Sequence, residues 1–321
     1  MRWLRRVGIA LATVLVVLLA LAGLVLLWDR IAPVHVAAPP PALTVDAAGV
    51  ATQVEHWPAA TPSGKPPLVL VPGFAESTYV FSRVAPLLAA DRDVYAYDVR
   101  GYGFTAHVPP YSLDADTDQL AGVIVALGLR RPVVVGHSLG AAIALSLALR
   151  DPAAVAGVVA ANGDGTPYFG GDRTSTGGGG LRVVLTLPPV GPAVVTAVVR
   201  SRGIVRQIVA AQCGPGCPTD DAAIDRWRAP FLTPGGVTAL LAIAREPLIG
   251  LTDDQERAVR TPTAVLSSGD DASFDHTAAL ATADRLHTSL VAELPGARHL
   301  ALLGEPDRFA AALVPLLDRL G

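Results

Sequence analysis

Short β-branched runs recur along this chain, separated by stretches with room for a helix. Leu68-Val69-Leu70-Val71, Asp93-Val94-Tyr95-Ala96-Tyr97, Pro132-Val133-Val134-Val135, Val155 to Ala161, Thr263 to Ser268 and Leu290 to Leu294 each read as a buried strand. Between and after them, Val80 to Ala90, Ala141 to Leu145 and Pro306 to Leu320 read as helices. Ser112 stands as an N-cap for another that runs through Leu127. Strands alternating with helices predict an α/β fold. Upstream, Leu43 to Trp57 alternates as a strand does and is broken by Asp46-Ala47-Ala48-Gly49, which predicts a hairpin before the polar, Pro-rich turn Thr61 to Pro67.

Two segments depart from this rhythm. Val7 to Trp28 carries no charged residue and, as a helix, is long enough to cross a hydrocarbon core about 30 Å thick. Arg2, Arg5 and Arg6 precede it, so the positive-inside rule puts the N-terminus in the cytoplasm and the body outside. A cleaved signal peptide is the alternative, with small residues at Ala37-Ala38 and a secreted body. The expected division is therefore 1–30 as cytoplasmic tip and membrane anchor and 31–42 as a Pro/Ala-rich spacer. The second departure is 166–260, where strands stop, Gly-rich Thr174 to Gly180 suggests a hinge, and Leu181 to Arg200 and Gly236 to Arg245 are apolar and helical. Residues 43–165 and 261–321 then form the core around this insertion.

Charge narrows the possible partners. The formal net charge is −3 over 321 residues and Lys65 is the only lysine, so no basic stripe suits nucleic acid.

Chemistry concentrates at Gly136-His137-Ser138-Leu139-Gly140, between the strand ending at Val135 and the helix beginning near Ala141. A serine at a sharp strand-to-helix corner is forced outward, and glycines two residues either side give the turn its clearance. The helix start aims unsatisfied N–H groups at any oxyanion forming beside Ser138, with Leu139 N–H nearest. The loop Pro72-Gly73-Phe74, leaving the Leu68 strand, offers the Phe74 N–H as a second oxyanion donor. His137 is expected to pack in the corner. Asp98, two residues before Arg100 at a strand end, reads as a loop-fixing carboxylate.

On Gly136-His137-Ser138-Leu139-Gly140 and Asp98-Val99-Arg100-Gly101-Tyr102-Gly103, the chain resembles the α/β-hydrolase superfamily from about Leu68 to Gly321, with Pro72 where many relatives carry His. The resemblance implies a mostly parallel central sheet with helices on both faces and a helical lid over 166–260. It also implies a triad acid after the penultimate strand, where Gly269-Asp270-Asp271 follows Ser268. Asp271 is the choice and Asp270 its rival, with Asp164 a third option. His299, on the loop after the last strand, completes the order Ser138, Asp271, His299, and His276 is the other possible base.

The pair Cys213 and Cys217 has no nearby His with metal-ligand spacing, and in an exported body a disulfide is expected. No metal or organic cofactor is required by a serine triad. The leading expectation is a membrane-anchored, exported serine hydrolase acting on a small-molecule or lipid ester. An acyltransferase or cofactor-free haloperoxidase-type perhydrolase would reuse the same triad, and a non-catalytic binding protein on this fold is the alternative of another class. The sequence leaves the oligomeric state open.

Overall fold

The residues that can be buried on both faces take the middle of the sheet. A computed structural model describes residues 2–34, 42–164, 187–245 and 250–321, with the backbone alone for 2–12, 14 and 15. Helix α1 (Arg2–Ile31) leads to β1 (Leu43–Ala47), β2 (Val50–Trp57) and β3 (Leu68–Val71). After β3 come a 3-10 turn at Thr78–Phe81, α2 (Ala85–Leu88), β4 (Val94–Tyr97), α3 (Leu113–Ala126), β5 (Val133–His137), α4 (Leu139–Arg150) and β6 (Gly157–Ala161). Helices α5 (Val190–Arg200), α6 (Arg202–Cys213), α7 (Asp221–Arg228), α8 (Gly236–Arg245) and α9 (Asp253–Ala258) precede β7 (Thr263–Ser268). The chain closes with α10 (His276–Arg285), β8 (Val291–Leu294), α11 (Ala301–Gly304) and α12 (Pro306–Leu320).

Among the described residues the sheet has eight strands in the order β1-β2-β4-β3-β5-β6-β7-β8. The β1–β2 hairpin and the β2–β4 pair are antiparallel, and every pair from β4–β3 to β7–β8 is parallel. This is the expected α/β-hydrolase architecture. Strands β3, β5 and β6 are buried along their whole length, with apolar layers on both faces. Parallel strands all end at one sheet edge, which puts the loops after β3, β5, β6, β7 and β8 side by side.

One expectation needs adjustment, and two others fall partly or wholly outside the described residues. The single helix Val80 to Ala90 is instead a 3-10 turn and the short α2, because Pro86 lacks an N–H and its ring would strike the Ser82 carbonyl in a continuous helix. The hinge Thr174 to Gly180 and the start of the Leu181 helix lie outside the described residues, and the helical insertion is described from residue 187 onward. Helix α1 covers the expected span Val7 to Trp28, part of whose side chains lie outside the described residues. Among the described residues no helix is long and apolar enough to cross a membrane.

The C-terminal end of α1 rests on the insertion. The Arg200 guanidinium lies 4.5 Å over the Trp28 ring, pairs with Asp29 at 2.7 Å and donates to the Ala32 carbonyl at 2.7 Å.

Candidate active site

Ser138 sits at the corner between β5 and α4, with φ 55° and ψ −122° and only 3% of its surface exposed. An L-residue holds this left-handed backbone only when its surroundings impose it. The two flanking glycines show how. A Cβ on Gly136 would lie 2.2 Å from the Gly140 carbonyl oxygen, and one on Gly140 would lie 2.2 Å from that of Val71. The corner is thus closed against its own helix and against β3. Leu139 opens α4, so its N–H has no helical acceptor and lies beside Ser138.

The loop after β3 approaches from the other side. A Cβ on Gly73 would come within 2.8 Å of the Ser138 Cβ, so Phe74 follows a residue in direct contact with the corner. The Phe74 ring meets Tyr102 edge-on at 5.8 Å between centroids.

His299 and Asp271 come together from the loops after β8 and β7. Nδ1 of His299 donates to Asp271 Oδ2 at 2.6 Å, and both residues are buried. A carboxylate only accepts, so the ring carries its hydrogen on Nδ1 and keeps a lone pair on Nε2 while it is neutral. Two further donors hold Asp271: the Asn162 side-chain amide reaches Oδ2 at 2.9 Å, and Ser273 N–H reaches Oδ1 at 2.8 Å. Burial works to raise the Asp271 carboxyl, but the His299 ring, the Asn162 amide and the Ser273 N–H outweigh it and hold it below the ordinary aspartate range.

The rival acids and base go elsewhere. The Asp270 side chain is exposed, while its backbone N–H donates to the Ala297 carbonyl at 2.8 Å. Asp164 pairs with Arg285 and accepts from the Thr282 hydroxyl. His276 Nδ1 lies 3.2 Å from the Ser267 hydroxyl and 3.8 Å from Glu293, at the β7–β8 edge. Asp98 fixes loops, but its partners are the Thr78 and Phe104 N–H groups, at 2.7 and 2.8 Å; Arg100 donates instead to the Pro110 carbonyl. Burial raises the Asp98 carboxyl to about 6. Cys213 and Cys217 are joined as a disulfide at a Cα separation of 5.4 Å.

The sequence reading missed three neighbours of the site. Asn162, at φ 51°, carries the amide that orients Asp271. Gly163 follows it because a Cβ there would lie 2.5 Å from the Ser138 carbonyl oxygen. The dipeptide Asn162-Gly163, straight after the buried strand next to β5, was the available signal. The third is Glu76, buried beneath the β3 loop with Oε2 accepting Gly73 N–H at 2.6 Å and lying 3.0 Å from His137 Nδ1. Glu76, His137 and His299 lie close together, and hydrogen bonds engage Glu76 Oε2 and both ring nitrogens of His137, which leaves this group a hydrogen-bonded unit with no free nitrogen lone pair on His137 for a metal.

Comparison with known proteins agrees with the architecture. Residues 66–176 match the family described as the alpha/beta hydrolase fold. RutD of Enterobacter cloacae, named as a candidate carbamate hydrolase, is 36% identical over 102 residues, which is 31% of this chain and 38% of that protein. The chain thus spans well under half the length of this curated relative. A serine hydrolase involved in carbazole degradation, CarC, superposes with a TM-score of 0.69 at 23% identity, covering 87% of this chain and 99% of its own. A membrane phospholipase A superposes with a TM-score of 0.67 at 21% identity, covering 99% of this chain and 98% of its own. At such identities these likenesses speak to the fold.

Proposed function

We propose that this chain, which belongs to the α/β-hydrolase superfamily, is a serine hydrolase that cleaves carboxylic esters through an acyl-enzyme. We also propose that it is held at a membrane by α1, with its catalytic domain on the extracytoplasmic side. One observation carries the chemistry: His299 Nδ1 donates to Asp271 at 2.6 Å at the sheet edge where Ser138 is held at φ 55°.

In this mechanism His299 Nε2 takes the Ser138 proton as Oγ bonds to the ester carbonyl carbon, and Asp271 stabilises the imidazolium that results. The N–H groups of Phe74 and Leu139 receive the oxyanion, each contributing about 3 kcal/mol to the transition state. Collapse breaks the bond to the alcohol oxygen, which takes the proton from His299. Water then attacks the acyl carbon, gives its proton to His299 and releases the acid, with Ser138 reprotonated.

The helical insertion acts in this reading as a cap, 166–260, over the acyl pocket. The uncharged run Val7 to Trp28, the arginines before it and the exposed Leu21, Leu24 and Leu27 of α1 support the anchor. The Arg200 contacts to Trp28, Asp29 and Ala32 would then set the cap close to the bilayer, which suits lipid esters.

Hydrolysis of p-nitrophenyl esters of graded acyl length tests the activity. Wild-type protein should turn over at least one of them, with turnover falling about 1,000-fold or more in Ser138→Ala. Equal turnover in both proteins would defeat the reading. For the anchor, full-length protein should sediment with membranes and a chain lacking 1–30 should not; release of the full chain by salt alone would contradict it.

A further inference from the structure

His137 is fully buried, and its two ring nitrogens face two acceptors. Nε2 lies 3.0 Å from the backbone carbonyl oxygen of His299, and Nδ1 lies 3.0 Å from Glu76 Oε2. A carbonyl oxygen only accepts, so Nε2 carries a hydrogen. Glu76 Oε2 already accepts the Gly73 N–H at 2.6 Å, which marks that oxygen as an acceptor. An acceptor there requires a hydrogen on Nδ1 as well. With both nitrogens donating, the ring is an imidazolium.

We infer that His137 is a protonated positioning residue, paired with the Glu76 carboxylate, that ties the oxyanion loop to the loop carrying His299. The inference rests on the proposed serine-hydrolase reading for its catalytic meaning. The connection can be followed atom by atom. The Phe74 donor follows Gly73, Gly73 N–H is held by Glu76, Glu76 holds His137, and His137 holds the His299 backbone. One strut therefore spans both sides of Ser138 and sets the donor and the base relative to each other.

Charge balance suits the place. The His137 and His299 rings are 4.8 Å apart between centroids. A lone imidazolium at that distance would oppose charging of His299 during acyl transfer, and the adjacent Glu76 carboxylate offsets it. The other titratable groups facing the pair are Asp271 and His299, from the loops after β7 and β8, and Tyr102, from the loop after β4. Burial works to neutralise both partners, but each outweighs it for the other. The Glu76 carboxyl is held below its ordinary range and the His137 ring above its own.

Nitrogen-15 NMR of histidine-labelled wild-type protein reads the protonation state directly. Both His137 nitrogens, assigned by their loss in His137→Gln, should show protonated shifts at neutral pH. A lone-pair nitrogen on His137 near neutral pH would overturn the inference, whether or not the protein hydrolyses esters. Glu76→Gln removes the anion, and His137 should then become neutral and lose one of its two bonds. Turnover should fall about 100-fold in kcat, the scale of a slightly misplaced group, with KM within about twofold. Because the two residues act as one unit, Glu76→Gln/His137→Gln should cost little more than either change alone. Additive losses, or a loss confined to KM, would contradict the strut. Absence of ester turnover in wild-type protein would instead count against the hydrolase reading, leaving the NMR result to decide the protonation.

Discussion

Asp271 accepts the Nδ1 hydrogen of His299 at 2.6 Å, while Asp270, one residue earlier, turns its side chain to solvent. The backbone explains the choice. Asp270 N–H is fixed to the Ala297 carbonyl on the loop after β8, which leaves the next side chain facing inward towards His299. Asp271→Asn should therefore lower kcat about 10,000-fold by favouring the wrong tautomer. Asp270→Asn should change stability by no more than about 0.5 kcal/mol and leave kcat close to wild type. Steady-state kinetics of the two variants check the assignment, and the reverse pattern would exchange the roles.

The corner at Ser138 depends on missing side chains. With backbone oxygens 2.2 Å from where a Cβ would sit on Gly136 and Gly140, an alanine at Gly136 forces β5 away from α4, and one at Gly140 forces α4 away from the end of β3. Gly140→Ala should destabilise the protein by about 1–3 kcal/mol or more, as other overpacked sites do. Gly203, near the start of α6, has nothing closer than 3.8 Å to an added Cβ. Gly203→Ala should stabilise by up to about 1 kcal/mol through the unfolded chain. Urea unfolding of both variants measures the contrast.

Asp116 on α3 gives stability a pH dependence opposite in sign to that of a paired carboxylate. Burial lifts its carboxyl to about 8 despite the nearby Arg100, and its Oδ1 has no hydrogen-bond partner. The folded state holds this proton where the unfolded chain, with an ordinary aspartate near 4, has released it. The contribution of Asp116 is therefore fully present below about pH 4 and is lost as pH rises through about 8. Asp116→Asn should gain stability relative to wild type between about pH 5 and pH 8.5, as read from urea midpoints. An unchanged difference across that range would refute the buried neutral carboxyl.

Cys213 and Cys217 close a loop of sequence separation 4 at the end of α6, next to Gly304 of α11. So short a loop limits the entropic stabilisation to about 2 kcal/mol. Thiol reagents should find no free cysteine in native protein until it is reduced, and reduction should lower the unfolding midpoint only modestly. Reactive thiols in protein purified without reductant would argue against an exported body.

The parts of the site that read clearly from sequence are those that a local turn dictates. Gly136 and Gly140 flank Ser138 because the corner admits no Cβ, and that requirement lies within five consecutive residues. The strands were legible because a strand buried on both faces needs an unbroken apolar run, as in Val133 to Val135. Pairings across the chain were not. Glu76 and His137 are 61 residues apart, and Asn162 and Asp271 are 109 apart, so no periodicity links them. The choice between Asp270 and Asp271 turned on a single backbone hydrogen bond from another loop. The helix expected across Val80 to Ala90 failed for a local reason that Pro86 already announced.

Covalent capture by a fluorophosphonate probe tests the central claim most directly, because phosphonylation requires a serine activated by its neighbours and no knowledge of the natural substrate. Peptide mass spectrometry of labelled wild-type protein should find the adduct on Ser138 alone, with labelling abolished in Ser138→Ala and strongly slowed in Asp271→Asn. Labelling that persists in Ser138→Ala, or an adduct on another residue of the wild-type protein, would contradict the account.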